Sequence, residues 1–276
     1  MKLLFSEAAA DYTHYIFPYA IWALPEAGED PHLFFEKGFL PSSKNLNRFY
    51  LCRSVRVALR EFSPSSENRR VMRKCANISL QLVSRGNFAF TDHWREFCIR
   101  YAQIKFGNET MTAERLDNLI NSKITSHLLL FHDDAASRDV GMATLFLEPP
   151  QVAQYYYAFY DLDYYRRNLG MFMMTAAVDY FSKEKFDCIY LGSCYSQNAL
   201  YKTQFAGAEF FNGACWSRNL DELKCLINRG TQPITQHLFE SEDYLHQFYD
   251  GNLGKLVAKS VFSLDILKEL VGHQNC

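Results

Sequence analysis

The chain has 276 residues, 48% of them hydrophobic and 16% aromatic, with a net charge of −2 and eight cysteines. This is length for one or two globular cores, and it excludes a chain that is basic throughout while leaving room for a local basic patch. No apolar run approaches the roughly 18 residues of a membrane span, Ser6-Glu7 cut short the signal-like start Met1–Phe5, and no cysteines form a C-x-x-C pair, so neither a membrane nor a bound metal is expected and free thiols in a reducing cytoplasm are.

Residues 1–84 read as short strands and turns punctuated by Pro18, Pro25, Pro31, Pro41 and Pro64, with a β-type run Val55–Leu59. Ser65 or Ser66 then caps a short helix running through Asn68–Lys74. Two helices follow. Thr91 or Asp92 caps the first, with Trp94, Phe97, Cys98, Tyr101 and Ile104 on one face, and Thr112 caps the second, with Leu116, Leu119 and Ile120 inward. From Ser126 the period becomes that of strands: His127–Phe131, Gly141–Leu147 and Gln154–Tyr160, separated by His132-Asp133-Asp134 and Glu148-Pro149-Pro150. A helix from about Leu169 to Lys183, a strand Phe186–Leu191, a helix from about Ser196 to Phe205 and a last strand at Ala214–Ser217 complete a region 85–218. Residues 219–276 read as a helical extension: Asp221–Asn228, Ser241–Phe248 and Leu264–Leu270.

Charge is distributed unevenly. Between Lys44 and Lys74 stand nine basic residues, Arg48, Arg53, Arg56, Arg60, Arg69, Arg70 and Arg73 among them, against Glu61 and Glu67, a net of +7 in 31 positions. Arginine forks suit phosphate oxygens, so the segment reads as an RNA-backbone site; the alternative is a solvated face with internal carboxylate pairs.

Arg167-Asn168-Leu169-Gly170-Met171-Phe172 precedes the long helix. A helix start that cradles a pyrophosphate needs small residues for close approach of its amides, in an Arg/Gln-x-x-Gly-x-Gly/Ala pattern. Here Phe172 stands at the second small position, where its ring is expected to block coenzyme A; otherwise Gly170 is a plain turn before a helix.

Two separated blocks carry a resemblance. Gly38-Phe39, Asn45, Cys52-Arg53-Ser54, Val55-Arg56-Val57, Phe62–Ser65 and Arg69-Arg70-Val71 form the first, and Phe159–Asp163, Leu169-Gly170, Tyr190-Leu191-Gly192 and Tyr201-Lys202 the second. Over roughly residues 12–216 they resemble the aminoacyl-tRNA–protein transferases, the arginyl and leucyl transferases of the N-degron pathway. The resemblance implies an α/β (α+β) chain with an N-acetyltransferase-like (GNAT) fold. Periodicity by itself supports a mixed α/β protein. The implied reaction moves an amino acid, arginine or leucine, from charged tRNA to a protein's N-terminal α-amine, with aminoacyl-tRNA as co-substrate and no coenzyme A. There are departures. Phe17-Pro18-Tyr19 stands for a cysteine-containing motif, Cys52 alone remains of a later cysteine cluster, and the loop between Gly192 and Tyr201 is shortened.

Transfer from an activated ester needs a deprotonated amine, alignment and oxyanion stabilisation. The resemblance assigns Asp161 to the incoming ammonium or an arginyl-like side chain, the alternative being a helix-capping aspartate. Lys202 is assigned to the tRNA end or the oxyanion, against a plain solvated lysine, and Tyr201 and Tyr190 to orienting the ester, against core packing. Glu209 and Asp163 are assigned to the acceptor, and Arg48, Arg53, Arg56, Arg69, Arg70 and Arg73 to tRNA. The alternatives are a transferase acting on a peptide or small amine, and a non-catalytic relative that binds tRNA or a degron.

Overall fold

The computed structural model describes residues 1–107 and 109–262; the helix expected over Leu264–Leu270, and Cys276, lie outside the described residues. A small antiparallel sheet holds β1 (Lys2–Glu7), β2 (Tyr19–Leu24), β3 (Phe39–Pro41) and β4 (Phe49–Leu51) in the order β1-β2-β4-β3. Beneath it, the short α1 (His32–Glu36) buries Phe34 and Phe35. Phe34 stacks on Phe49 at 4.5 Å, and Phe35 reaches Phe146 and Tyr190 at 6.0 and 4.8 Å, so aromatic packing fastens the small sheet to the large one. At the same seam Gly38, with φ +84°, leaves no room for a Cβ, which would run into the Phe211 ring.

The large sheet has eight strands: β5 (Ser54–Ala58), β6 (Ile78–Ser84), β7 (His127–Asp133), β8 (Arg138–Glu148), β9 (Val152–Tyr160), β10 (Cys188–Ser193), β11 (Ala208–Phe211) and β12 (Trp216–Ser217). Their order is β12-β11-β5-β10-β9-β8-β7-β6, antiparallel except for the parallel pair β9–β10. The boundary expected at residue 84 is therefore corrected: β5 and β6 belong to this sheet. Val55 and Val57 share one face of β5 and Ser54 lies on the other, and all three are fully buried, as in a strand covered on both sides.

Helices cover both faces. Leu129 and Phe131 of β7 face α2 (Ser66–Lys74) and α5 (Leu169–Lys183), the crossover between the parallel strands. Leu128 faces α3 (Asp92–Phe106) and α4 (Ala113–Ile120) on the other side. Ser65 caps α2 and Thr112 caps α4 through their hydroxyls, as the sequence suggests. With its antiparallel ladders and one parallel pair joined by α5, the arrangement is a mixed α/β fold. Where a helix was expected over Ser196–Phe205, a 3-10 turn runs Gln197–Thr203, and β11 went unread in the sequence.

The extension contributes α6 (Leu220–Arg229), α7 (Glu242–Tyr249) and α8 (Leu253–Val257), lying against the β11 end of the sheet. Its anchor is a buried carboxylate. Glu222, 2% exposed, accepts hydrogen bonds from Tyr244 (2.6 Å), Tyr249 (2.8 Å), Asn212 (2.9 Å) and Ser217 (2.5 Å). Removing it orphans four donors, so Glu222→Ala is expected to cost about 3 kcal/mol in urea unfolding, with hydrogen exchange in α6 and α7 rising first.

Candidate active site

The site follows from a break in the large sheet. β9 and β10 pair only over Val152–Gln154 and Cys188–Tyr190, then part. Each departing strand has a register shift on its other side at this level, between Thr144 and Leu145 in the β8–β9 ladder and between Tyr190 and Ser193 in the β10–β5 ladder. Bulges bend strands and disrupt ladders locally, and here they turn β9 and β10 away from each other. Beyond Gln154, the edge of β9 that faced β10 has no strand partner.

Lys202 lies at this wedge. Its Nζ donates to the Ser193 carbonyl at 2.8 Å, and burial pushes the amine's pKa down. Cys194 and Cys52 lie close enough to oppose that shift, and burial pushes the Cys52 thiol up to about 12. Lys202 is thus a desolvated amine in a built setting. Tyr201, on the same turn, is 47% exposed.

On the α3 side of the wedge is a cavity of about 470 Å³. Phe97, Tyr101 and Tyr160 wall it, while Glu96, Asp139, Asp161 and Asp163 outnumber Arg100 and Arg138. Asp161 and Asp163 therefore meet in one cavity, 14% of the Asp161 side chain remaining exposed. Asp161 accepts from the Asp163 amide at 2.9 Å and pairs with Arg138 at 2.9 Å, so it is both a cap and a wall. Tyr160 packs against Tyr101, its ring tilted by 54° at 4.7 Å, and reaches over the start of α5, where a Cβ on Gly170 would lie 2.7 Å from its ring.

That contact corrects the reading of the glycine turn. Phe172 does not stand over the helix start; it is buried in the main core, 6.1 Å from Phe131. The aromatic residue beside Gly170 is Tyr160. Arg167 likewise turns away from the helix start, onto the Lys74 carbonyl and Asp133.

Three further assignments are corrected by one cross-strand row. Tyr190, Arg56 and Glu209 are direct partners on β10, β5 and β11. Arg56 pairs with Glu209 at 2.8 Å and lies 4.0 Å over the Trp216 ring, and Arg218 also holds Glu209 at 2.8 Å. Tyr190, 1% exposed, packs on Phe35 and stands 3.5 Å from Arg56. The guanidinium faces a carboxylate rather than phosphate, Glu209 is already bound by two arginines, and Tyr190 is core.

The remaining arginines divide. Arg70 pairs with Glu67, whereas Arg69 and Arg73 are exposed on α2. Arg48 lies 5.0 Å over Trp22, and Arg53 lies 4.9 Å over Tyr195, whose hydroxyl accepts from the Arg53 amide at 2.9 Å. Trp22 and Tyr50 are 6.3 Å apart, and Tyr50 neighbours both Cys52 and Tyr195. Sequence reading missed this alternation of aromatic and arginine side chains beside the wedge, because its members come from three separate segments.

Asp30, His32 and Glu148 bring ligand-type atoms within 4.8 Å of one another. His32 is already bonded to Glu148 through Nδ1 (2.7 Å) and its amide (2.8 Å), which gives the cluster a structural role without an ion. The seven cysteines among the described residues are free thiols, and no described helix is long and apolar enough to cross a membrane.

Residues 90–212 match the family model described as arginine-tRNA-protein transferase, C terminus. Similar curated proteins include an aspartate/glutamate leucyltransferase of Pseudomonas aeruginosa, 24% identical over 192 residues that span 66% of this chain and 79% of that protein. Another, from Acinetobacter baylyi, is 26% identical over 174 residues, spanning 60% and 62%. Among solved structures, L-PGS from Bacillus licheniformis aligns with a TM-score of 0.39 at 8% identity, over 51% of this chain and 44% of that one.

Asp133 fixes the turn that leads into α5. Tyr164's hydrogen bond (2.7 Å), then those of the Ala136 amide, Asn77 and the Ala135 amide, hold its carboxyl at about 2, below the usual carboxylate range. A depressed carboxylate stabilises the fold above its unfolded pKa and loses that effect as pH falls through the folded value. Asp133→Asn is therefore expected to lower the melting temperature at neutral pH and to flatten its decline from about pH 4 to pH 2, read by calorimetry across that range.

Proposed function

We propose that the chain is a divergent aminoacyl-tRNA–protein transferase, which moves arginine, or else leucine, from charged tRNA to the N-terminal α-amine of a protein in the cytoplasm, marking that protein for N-degron degradation; the family-model match over residues 90–212 and the similarity to leucyltransferases support this reading. The observation that carries this reading is the setting of Lys202: a desolvated amine where two sheet strands part, flanked by a carboxylate-lined cavity and an aromatic–arginine rim.

The rim suits a single-stranded tRNA end. Aromatic faces stack unpaired bases, and arginines beside them meet the phosphates. Arg69 and Arg73 on α2 are open to the same partner. The cavity suits the amino acid and the acceptor. Its surplus of carboxylates favours a cationic arginyl side chain or an ammonium, with Phe97 and Tyr160 taking the apolar stem. Coenzyme A is not the expected donor, since Tyr160 covers the Gly170 side of the α5 start, where a pyrophosphate would need close approach.

The acceptor reaches the site as an ammonium and must lose a proton before it attacks. A lysine whose pKa is lowered by desolvation is available, in part, as the neutral amine that takes it. The neutral fraction grows with pH, so the transfer rate is expected to rise with pH through the depressed pKa of Lys202. Lys202→Met is expected to lower the rate about 100-fold and abolish that limb, and Lys202→Arg not to restore it, because a guanidinium stays charged.

The test incubates the protein with tRNA charged separately with labelled arginine and leucine, and with peptides beginning with Asp, Glu, Arg or Lys. Transfer to the peptide α-amine is expected, to the acidic N-termini first; no transfer from any charged tRNA would sink the reading. Trp22→Ala and Arg48→Ala are expected to weaken tRNA binding about tenfold with little change in the rate at saturation, and Arg48→Ala to make the salt dependence shallower, measured by filter binding across a salt series.

A further inference from the structure

Among the described residues, two buried side-chain polar atoms lack a partner, and they are neighbours: Gln154 Oε1 and Tyr155 OH. They stand at the point where β9 leaves β10. Tyr155 is 5% exposed, its ring set in the main core with Leu169 and Phe172 of α5. A buried hydroxyl without a partner weakens a fold, and phenylalanine would fill the same space without that loss. A catalytic role is one of the explanations such an orphaned group calls for.

The neighbours indicate which partner. Tyr201 and Tyr160 are the titratable groups close enough to affect Tyr155, and burial together with these two keeps its phenol protonated, a donor throughout the working pH range. Tyr160 walls the cavity, and the half-exposed Tyr201 immediately precedes Lys202. The Tyr155 hydroxyl thus has as neighbours Tyr160, which walls the cavity, and Tyr201, which adjoins Lys202 in the chain.

Resting on the aminoacyl-transfer reading, we propose that Tyr155 donates a hydrogen bond to the ester carbonyl oxygen of the charged tRNA once the arriving end displaces the Tyr201 ring. The acceptor amine, neutral after giving one proton to Lys202, adds to the ester carbon. The carbonyl oxygen takes the negative charge and Tyr155 meets it. As the carbonyl reforms, the bond from carbon to the terminal ribose oxygen breaks, the amide bond remains, and the second amine proton ends on the ribose hydroxyl. Tyr155 is then a catalytic residue whose effect appears in the transition state more than in binding.

The test compares the full chain with its Tyr155→Phe variant in single-turnover transfer to a peptide, in binding of charged tRNA and in thermal unfolding. The expected result is an equal or higher melting temperature, unchanged tRNA affinity and a transfer rate about 100-fold lower at saturation. An active wild type with an equally active Tyr155→Phe overturns this assignment alone. So does a variant that loses activity along with melting temperature, which would make the hydroxyl structural. A wild type that transfers nothing overturns it together with the function on which it rests.

Discussion

The separation of β9 from β10 is the constraint on which the rest of the architecture depends. Parallel strands held together for three residues give up ladder hydrogen bonds beyond that point, and such a gap persists only where the surroundings enforce it. Here the enforcement is on both flanks. A register shift against β8 turns one strand, a shift against β5 turns the other, and α5 and the Gln197–Thr203 turn occupy the ground between them. Beside the same opening Lys202 donates to a backbone carbonyl, and Gln154 Oε1 and the Tyr155 hydroxyl have no partner among the described residues. A fold that closed the gap would gain hydrogen bonds and lose its cleft.

The charge distribution divides along the same line. Arginines near the sheet's centre and its β12 end serve the fold: Arg56 and Arg218 neutralise Glu209, and Arg167 reaches across to Asp133. Those at the wedge mouth lie on aromatic rings, Arg48 on Trp22 and Arg53 on Tyr195, with no carboxylate partner among the described residues. An arginine on an aromatic face is pre-positioned yet still able to meet a phosphate, whereas one already bonded to a carboxylate would need a full exchange of partners.

Much of this was legible in the sequence wherever a side chain acts within its own element. The period of α5 marked Leu169 and Lys183 as its limits, and the apolar runs of β7 and β8 and the caps Ser65 and Thr112 were readable because each depends on neighbours a few residues away. The site was legible in part. Asp161, Asp163 and Lys202 do stand at the cavity and the wedge. Tyr190, Arg56 and Glu209 were misread because their roles are set by strand order, which puts residues 56, 190 and 209 in one row although nothing local relates them. Phe172 was misread for a simpler reason: two residues along a helix from Gly170 is more than half a turn, so the two positions face different ways. Tyr155 could not be found from sequence at all, since what distinguishes it among 17 tyrosines is a missing partner.

The glycine at the seam between the two sheets carries one more consequence. Gly38 meets the face of Phe211 with its Cα hydrogens, at a backbone angle few other residues adopt, so the join is sealed by an atom that is not there. Such a seal tolerates no single enlargement. An alanine at 38 asks for a smaller side chain at 211, 173 residues away in the chain, and even then keeps a backbone angle that suits glycine, so room made at 211 relieves the clash and leaves the strain.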